Sequence, residues 1–224
     1  MKLSAVTLAR YIAFIEIWDL NPRGAVRFLD LVQGLVQKCG FAKYPQKYEE
    51  LDVAKGFILE GGKLGEIKNL QLHVFAYGLA VDTLSSTADS EAALDKLLWW
   101  AFETFKIHYN ADMIKRKAYL SQLSFYSDFD LNMVNEAVKS VSEILTKRVN
   151  EIFGMPLAYA LAGTTWMYDA TSIKNGPSPF TIERRADTPF TENKYFSQAP
   201  LPTEEHIKLL EDFELAISRV SKPK

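Results

Sequence analysis

The chain has a single cysteine, Cys39, and this scarcity is the first constraint on its structure. One thiol cannot form an intramolecular disulfide, so a scaffold held together by disulfides is excluded. Long apolar runs are also missing, since none reaches the roughly 18 residues of a membrane span. Residues 1–18 contain Arg10 and Glu16 and do not resemble a secretory signal. We therefore expect a cytoplasmic protein without a membrane partner.

Charge of one sign is equally scarce, because the formal net charge of the 224 residues is −2. Proteins that bind a phosphate backbone usually carry a basic stripe. The nearest approach to one is the short cluster at Lys115, Arg116 and Lys117, which is typical of a solvated turn. The charge therefore argues against a nucleic-acid partner. Binding of nucleic acid through stacking aromatic residues is the weakest of the alternatives.

Motifs that carry chemistry are missing as well. The three histidines, His73, His108 and His206, have no second histidine or cysteine at a metal-ligand spacing. There is no Gly-x-Ser-x-Gly elbow, and the glycines at 61, 62 and 65 lack the Lys-Ser/Thr of a phosphate-binding loop. We therefore predict no catalytic residue, no metal and no cofactor, and the balance is against an enzyme.

The clearest feature that is present is an amphipathic helix over residues 130–152. Its polar residues, including Glu143 and Lys147, fall between apolar residues that recur at steps of three and four. This period is that of one helix face, and the face is formed by Val134, Val138, Val141, Leu145, Val149 and Ile152. A helix this one-sided predicts that the apolar stripe lies in the core, most simply against a sheet.

The first half of the chain predicts a strand over 8–18 and a helix that starts at Asn21-Pro22. That helix carries Cys39 on its apolar side, and Gly40 is placed to cap its C-terminus. The residues beyond it predict three strands, over 53–60, 65–77 and 79–84. A further helix, which includes residues 94–105, follows a run of capping side chains at 82–90.

The second half predicts the same order of elements. A strand over 117–126 precedes the helix at 130–152, and the mostly apolar residues 157–168 predict one or two strands around Gly163. A strand over 180–185 leads into a long polar loop, 186–202. Thr203 is placed to cap the last helix.

Taken together, the two halves predict an α+β fold made of two βαββ(β)α-like halves. We expect antiparallel sheets with helices packed mainly on one face, and the repeated order suggests an internal duplication. The halves correspond to domains at 1–110 and 111–224, although one continuous domain is an alternative. The order resembles the TATA-binding-protein-like group of folds, a likeness of element order that implies no function.

Two groups of residues are candidates for binding. The first lies at and beyond the strand 180–185, where Arg184 and Arg185 precede a long loop that contains Tyr195. If Arg184 shares the face of Phe180 and Ile182, it points inward and needs a carboxylate or a bound anion. Arg185 then points outward. Long loops with aromatic residues are often functional.

The second group is an aromatic sheet face. His73, Phe75, Trp166 and Tyr168 alternate with the more apolar positions of their strands. If helices cover one side of the sheet, these residues form a partly exposed second side, and such surfaces mark interaction sites.

The absence of a catalytic motif and this aromatic face favour a non-enzymatic binding or assembly module. It would act through protein–protein contacts, with a protein partner or as a homo-oligomer. The alternative is a small-ligand or anion-binding sensor, or an enzyme, whose pocket between the halves is lined by Arg184, Arg185, Trp166 and Tyr195.

Overall fold

The computed structural model of the chain describes residues 1–132, 136–169, 171 and 176–220, apart from the side chains of Arg23, Glu136 and Val220. In the first half the elements are β1 (Lys2–Phe14), α1 (Ile17–Leu20), α2 (Phe28–Cys39), β2 (Phe57–Leu64), β3 (Ile67–Phe75), β4 (Gly78–Thr83) and α3 (Thr87–Phe105). In the second half they are β5 (Arg116–Tyr126), α4 (Glu136–Phe153), β6 (Gly163–Trp166), β7 (Phe180–Arg184), β8 (Lys194–Ala199) and α5 (Thr203–Val220).

The predicted α+β class is confirmed. The strands are hydrogen-bonded in the order β2-β3-β4-β1-β5-β8-β7-β6, and the strand pairs with a defined register are antiparallel. Apart from the short α1, each half runs strand, helix, three strands, helix, which is the predicted βαββ(β)α order. That the halves arose by duplication stays a hypothesis.

Two compact units divide the chain. The N-terminal unit comprises Val6–Gln122 with Pro200–Glu204, and the C-terminal unit comprises Met1–Ala5, Leu123–Ala199 and Glu205–Lys224. The proposed domain boundary near residue 110 stays a prediction.

The core of the N-terminal unit lies between its strands and the helices α2 and α3. Tyr11, Leu72 and Val81 are buried on the strands, and Leu94 is buried on α3. The two helices approach closely at Gly34, where a Cβ atom would lie 2.5 Å from the Phe105 ring. A side chain at position 34 would therefore require the Phe105 ring to move.

The predictions for the two ends of α2 have different outcomes. Gly40 has φ +64° and donates its N–H to the Val36 carbonyl, so the predicted C-terminal cap is confirmed, as is the buried position of Cys39. The predicted start is wrong, because the helix begins at Phe28. Asn21 instead lies in the loop before the helix, where its side-chain amide forms two hydrogen bonds with the backbone of Val26.

Two strand boundaries also differ from the prediction. β1 ends at Phe14, and the apolar residues that follow continue into the short α1. β2 does not stop at Gly61-Gly62 but runs through both glycines, with irregular pairing to β3 on either side. Gly61 has φ +74°, a conformation that glycine adopts without steric cost, so the pair acts as a bulge instead of an end.

The cap assigned to Thr203 is wrong. Thr203 is the first residue of α5, and its Oγ1 accepts the Thr87 N–H at 3.0 Å, while its own N–H donates to Thr87 Oγ1 at 2.9 Å. Both residues belong to the N-terminal unit. The N-terminus of α3 conforms to the prediction, because Ser86 Oγ accepts the Asp89 N–H.

In the C-terminal unit, α5 packs against the β6–β7 side of its sheet. Trp166 stacks on Phe180 with ring centroids 5.0 Å apart, and Phe213 of α5 meets Trp166 edge-on at 5.6 Å. The predicted loop 186–202 is wrong in its centre, which forms β8. Its buried residues, Tyr195, Ser197 and Ala199, alternate with half-buried ones. Phe196 is on the less buried side and Ser197 on the buried side, so the alternation of burial is not one of apolar with polar residues.

The orientation predicted for the helix at 130–152 is also wrong. Among the described residues of α4 none is buried, and Val141 is 63% exposed. Polar residues of the helix instead face the extended segment that follows it. Thr146 Oγ1 accepts the Tyr159 N–H, and the Asn150 side-chain amide donates to the Leu157 carbonyl and accepts the Leu157 N–H. Val134 lies outside the described residues. Periodicity shows that a helix is one-sided, but it does not show what covers the apolar side.

Candidate functional site

Arg184 lies on the inward face of β7, as the alternation of the strand predicts. Its side chain is 4% exposed, and its Nη2 contacts Asp130 Oδ1 at 2.5 Å. Nη1 donates to the Phe190 carbonyl, and the guanidinium lies over the rings of Phe190 and Tyr195. The partner of this arginine is therefore a carboxylate of its own unit, so an anion that occupied the site would have to displace Asp130.

Tyr195 completes this cluster from β8. Its hydroxyl donates to Asp130 Oδ1 at 3.1 Å and accepts the Leu131 N–H at 3.0 Å. Burial raises the pKa of Tyr195 to about 12, so the hydroxyl stays protonated at neutral pH. The cluster ties residues 130–131 to β7 and β8, and its hydrogen bonds are those of a structural network.

Arg185 is not brought to this cluster. It points outward, and its Nε and Nη2 contact the two carboxylate oxygens of Asp187 at 3.2 and 3.3 Å. Both side chains are exposed, so the pair is solvated. The expected difference between the two arginines is therefore present in the geometry. Their role in binding stays a prediction.

His73 is part of a second charged cluster, on the sheet of the N-terminal unit. Its neighbours Leu72 and Val74 face the core, so the pleat places His73 on the opposite face. There His73 Nε2 lies 3.0 Å from Asp82 Oδ2, and Arg10 contacts both oxygens of Asp82 at 2.7 and 2.6 Å. The sequence analysis missed Arg10 and placed Asp82 in the capping run at 82–90, whereas the two residues pair across adjacent strands.

Asp82 is the centre of that cluster. Burial raises the pKa of Asp82, but hydrogen bonds from Arg10 and His73 oppose this effect, and the net pKa lies below the ordinary value. The carboxylate is therefore ionised and fully engaged at neutral pH. It holds β1, β3 and β4 together and is not poised as a general acid.

The aromatic residues predicted to share a sheet face are divided between the two units, with His73 and Phe75 in the N-terminal unit and Trp166 and Tyr168 in the C-terminal unit. Phe75 is 43% exposed, stacks near His73 with ring centroids 6.4 Å apart, and lies over Gly56. Trp166 is on the side of its sheet that α5 covers, whereas His73 and Phe75 are on the side away from α2 and α3. Tyr168 follows β6 and lies against Gly176.

The most prominent unassigned surface is the apolar side of α4. We call it the α4 face and define it by Val138, Val141, Leu145, Val149 and Ile152. Val141, Leu145 and Ile152 are exposed, Leu145 at 42% and Ile152 at 75%, while Val138 and Val149 are half-buried. An open groove of ≈ 460 Å³ runs along part of this face, and residues 159–162 form its other wall.

The described residues contain no group of three or more His, Cys, Asp or Glu side chains arranged to hold a metal ion. Within the same part of the chain, no helix has both the length and the apolar character needed to cross a membrane. No described protein family matches the chain, and no curated protein matches it.

Proposed function

We propose that the chain is a non-enzymatic assembly module that self-associates, with two copies pairing antiparallel through the α4 face. The observation that carries this proposal is the exposure of that face, where Val141 is 63% and Ile152 is 75% exposed. Contiguous exposed apolar surface is typical of interaction sites. Neighbouring residues outside the face, Ile144 and Phe153, are also at least half exposed and would extend it.

The pattern of α4 favours a second copy as the occupant. Two residues of the face precede Leu145 by seven and four positions, and two follow it by four and seven positions. The pattern is therefore the same when the direction of the chain is reversed. At about 100° per residue, all five point within about 40° of Leu145. A two-fold axis at Leu145 would place Val138 against Ile152 of the second copy and Val141 against Val149 of the second copy. An isologous interface requires this self-complementarity.

The charges of α4 are compatible with such a pair. Lys139, Glu143, Lys147 and Glu151 lie about 120–160° away from Leu145 around the helix, and Lys147 Nζ is 3.9 Å from Glu151 Oε1. They alternate in sign at steps of four and remain in water when the apolar sides meet. Arg148 is exposed and lies about 60° from Leu145, at the edge of the face, where its long side chain can keep the guanidinium in water. Pairing therefore buries no isolated charge, which is the main penalty against burying a helix surface.

Sedimentation velocity or light scattering over a range of concentrations tests the proposal. The wild-type chain should dimerise, and Leu145→Glu should be monomeric with an unchanged circular dichroism spectrum. The matched control is Leu215→Glu, because Leu215 is a 50% exposed leucine on α5, and this variant should dimerise like wild type. A wild-type chain that stays monomeric at high micromolar concentration contradicts the proposal.

Cysteine cross-linking tests the geometry. Helices 8–10 Å apart with Cα atoms at a radius of 2.3 Å place facing Cα atoms about 3.4–5.4 Å apart, a range that overlaps the roughly 4.4–6.8 Å of a disulfide. Leu145→Cys should form a covalent dimer on oxidation, whereas Lys147→Cys, on the far side of α4, should not. The native Cys39 is 4% exposed and should not interfere. Equal cross-linking of both variants would exclude the antiparallel arrangement.

A further inference from the structure

A second feature, independent of α4, is an apolar cavity of ≈ 100 Å³ in the N-terminal unit. It lies between the sheet and the two helices that cover it. Leu72 and Leu79 line it from β3 and β4, Leu31 and Val32 from α2, and Leu97 and Ala101 from α3. Since packed protein interiors leave few voids larger than a water molecule, a space of this size within the hydrophobic core is a candidate site.

The lining offers water almost nothing to bind. Its polar side chain is Asn21, and that amide is already engaged: Nδ2 donates to the Val26 carbonyl at 2.6 Å, and Oδ1 accepts the Val26 N–H at 3.0 Å. A buried water needs two to four polar partners. The lining thus favours an occupant that needs no hydrogen bonds.

The position of α2 makes the cavity accessible from one side. Phe28, Leu31 and Leu35 line it from this helix and are half-buried, whereas Val32 between them is buried. The cavity is therefore least enclosed along α2. The Asn21–Val26 contact closes the loop that leads into this helix.

We propose that the cavity binds a small uncharged hydrocarbon group, without recognition of a polar head inside the core. An apolar cavity of about 150 Å³ lined by Leu, Ile and Phe binds benzene or xenon, so this site suits an occupant of that size or slightly smaller. A free apolar molecule and the terminal end of an alkyl chain share this chemistry. Because the cavity and the α4 face have no residue in common, either proposal stands if the other fails.

Thermal unfolding with benzene, and xenon binding followed by methyl-detected NMR, test the site. For the wild-type chain, benzene should raise the melting temperature in a saturable way, and xenon should shift methyl signals of Leu97 and Leu72. Ala101→Leu places extra carbon atoms in the cavity and should abolish both effects. The matched control is Ala88→Leu, the same substitution at an exposed position of α3, which should retain them.

Linear alcohols from butanol to decanol distinguish the two sources of ligand. Affinity that keeps rising with chain length indicates an alkyl tail that extends out of the cavity, whereas affinity that peaks at short chains indicates a free small molecule. If Ala101→Leu fails to fold, the wild-type methyl shifts decide. Shifts confined to the cavity lining support the proposal, and shifts elsewhere or no saturable response to benzene and xenon overturn it.

Discussion

Three buried polar clusters in this chain join residues from distant parts of the sequence. Arg184 pairs with Asp130, Thr203 exchanges hydrogen bonds with Thr87, and Asp82 joins Arg10 to His73. Losing one partner leaves the other desolvated and incompletely bonded, which costs more than the net gain of the original bond. Substitutions at these residues should therefore mainly lower the free energy of unfolding.

The two arginines at the end of β7 should differ sharply in stability. Arg184→Ala removes a nearly buried cation from Asp130, which is itself about one-third exposed, so we expect a loss of about 1–3 kcal/mol. Arg185→Ala should change stability by less than about 0.5 kcal/mol, because its pair with Asp187 is solvated. Urea unfolding of both variants measures the difference. Equal midpoints would show that Asp130 does not depend on Arg184.

Thr203 should act through Thr87 and not as a cap of its own helix. Thr203→Ala leaves the buried Thr87 N–H without its acceptor and should cost about 1–3 kcal/mol. Thr203→Ser keeps the hydroxyl and should cost much less. A double-mutant cycle with Thr87→Ala checks the mechanism, because reciprocal bonds predict a coupling energy and an independent cap predicts additivity.

At the scale of secondary-structure elements, two helices with the same apolar pattern differ in whether their apolar side is buried. The stripe of α5 includes the buried Leu210 and Ile217, whereas the equally regular stripe of α4 is exposed. Both helices satisfy the periodicity of an amphipathic helix. The difference lies in what each helix packs against: α5 meets the β6–β7 surface, and α4 uses its polar side against residues 157–159.

Because the apolar side of α4 is exposed, a charge introduced there should have little effect on the stability of the folded chain. In the Leu145→Glu background, Val141→Asp should change the free energy of unfolding by no more than about 0.5 kcal/mol, since Val141 is 63% exposed and surface changes are usually this small. Chemical denaturation of the monomeric background with and without the second change measures it. A loss of several kcal/mol would instead show that the stripe is buried within one chain.

At the scale of the whole molecule, a buried histidine contributes to the change of stability with pH. His206 is fully buried in α5, and its Nε2–H donates at 2.8 Å to Ser197 Oγ, whose own proton goes to the Thr181 carbonyl. Burial lowers the pKa of His206 from 6.5 to about 4. Between these values the unfolded chain binds a proton that the folded chain does not, so stability falls as the pH falls.

His206 should therefore contribute a loss of up to roughly 3 kcal/mol as the pH drops from 7 to 4, at 1.36 kcal/mol per unit of pKa. His206→Gln removes this titration, so its stability should fall less steeply than that of wild type over the same range. The control is His108→Gln, the same substitution at an exposed histidine, which should retain the contribution of His206. Parallel curves for wild type and His206→Gln would exclude the histidine as the cause.

The sequence by itself determined the class of fold and most of the elements. Hydrophobic periodicity and local capping act over a few residues, so the hairpin of β3 and β4, the Gly40 cap and the inward Arg184 could all be predicted. The exposed α4 face, the Arg10–Asp82–His73 cluster, the Thr87–Thr203 exchange and the apolar cavity could not. Each depends on which surfaces meet, and contacts between residues about ten to more than a hundred positions apart are decided by packing of the whole chain, which only the tertiary structure contains.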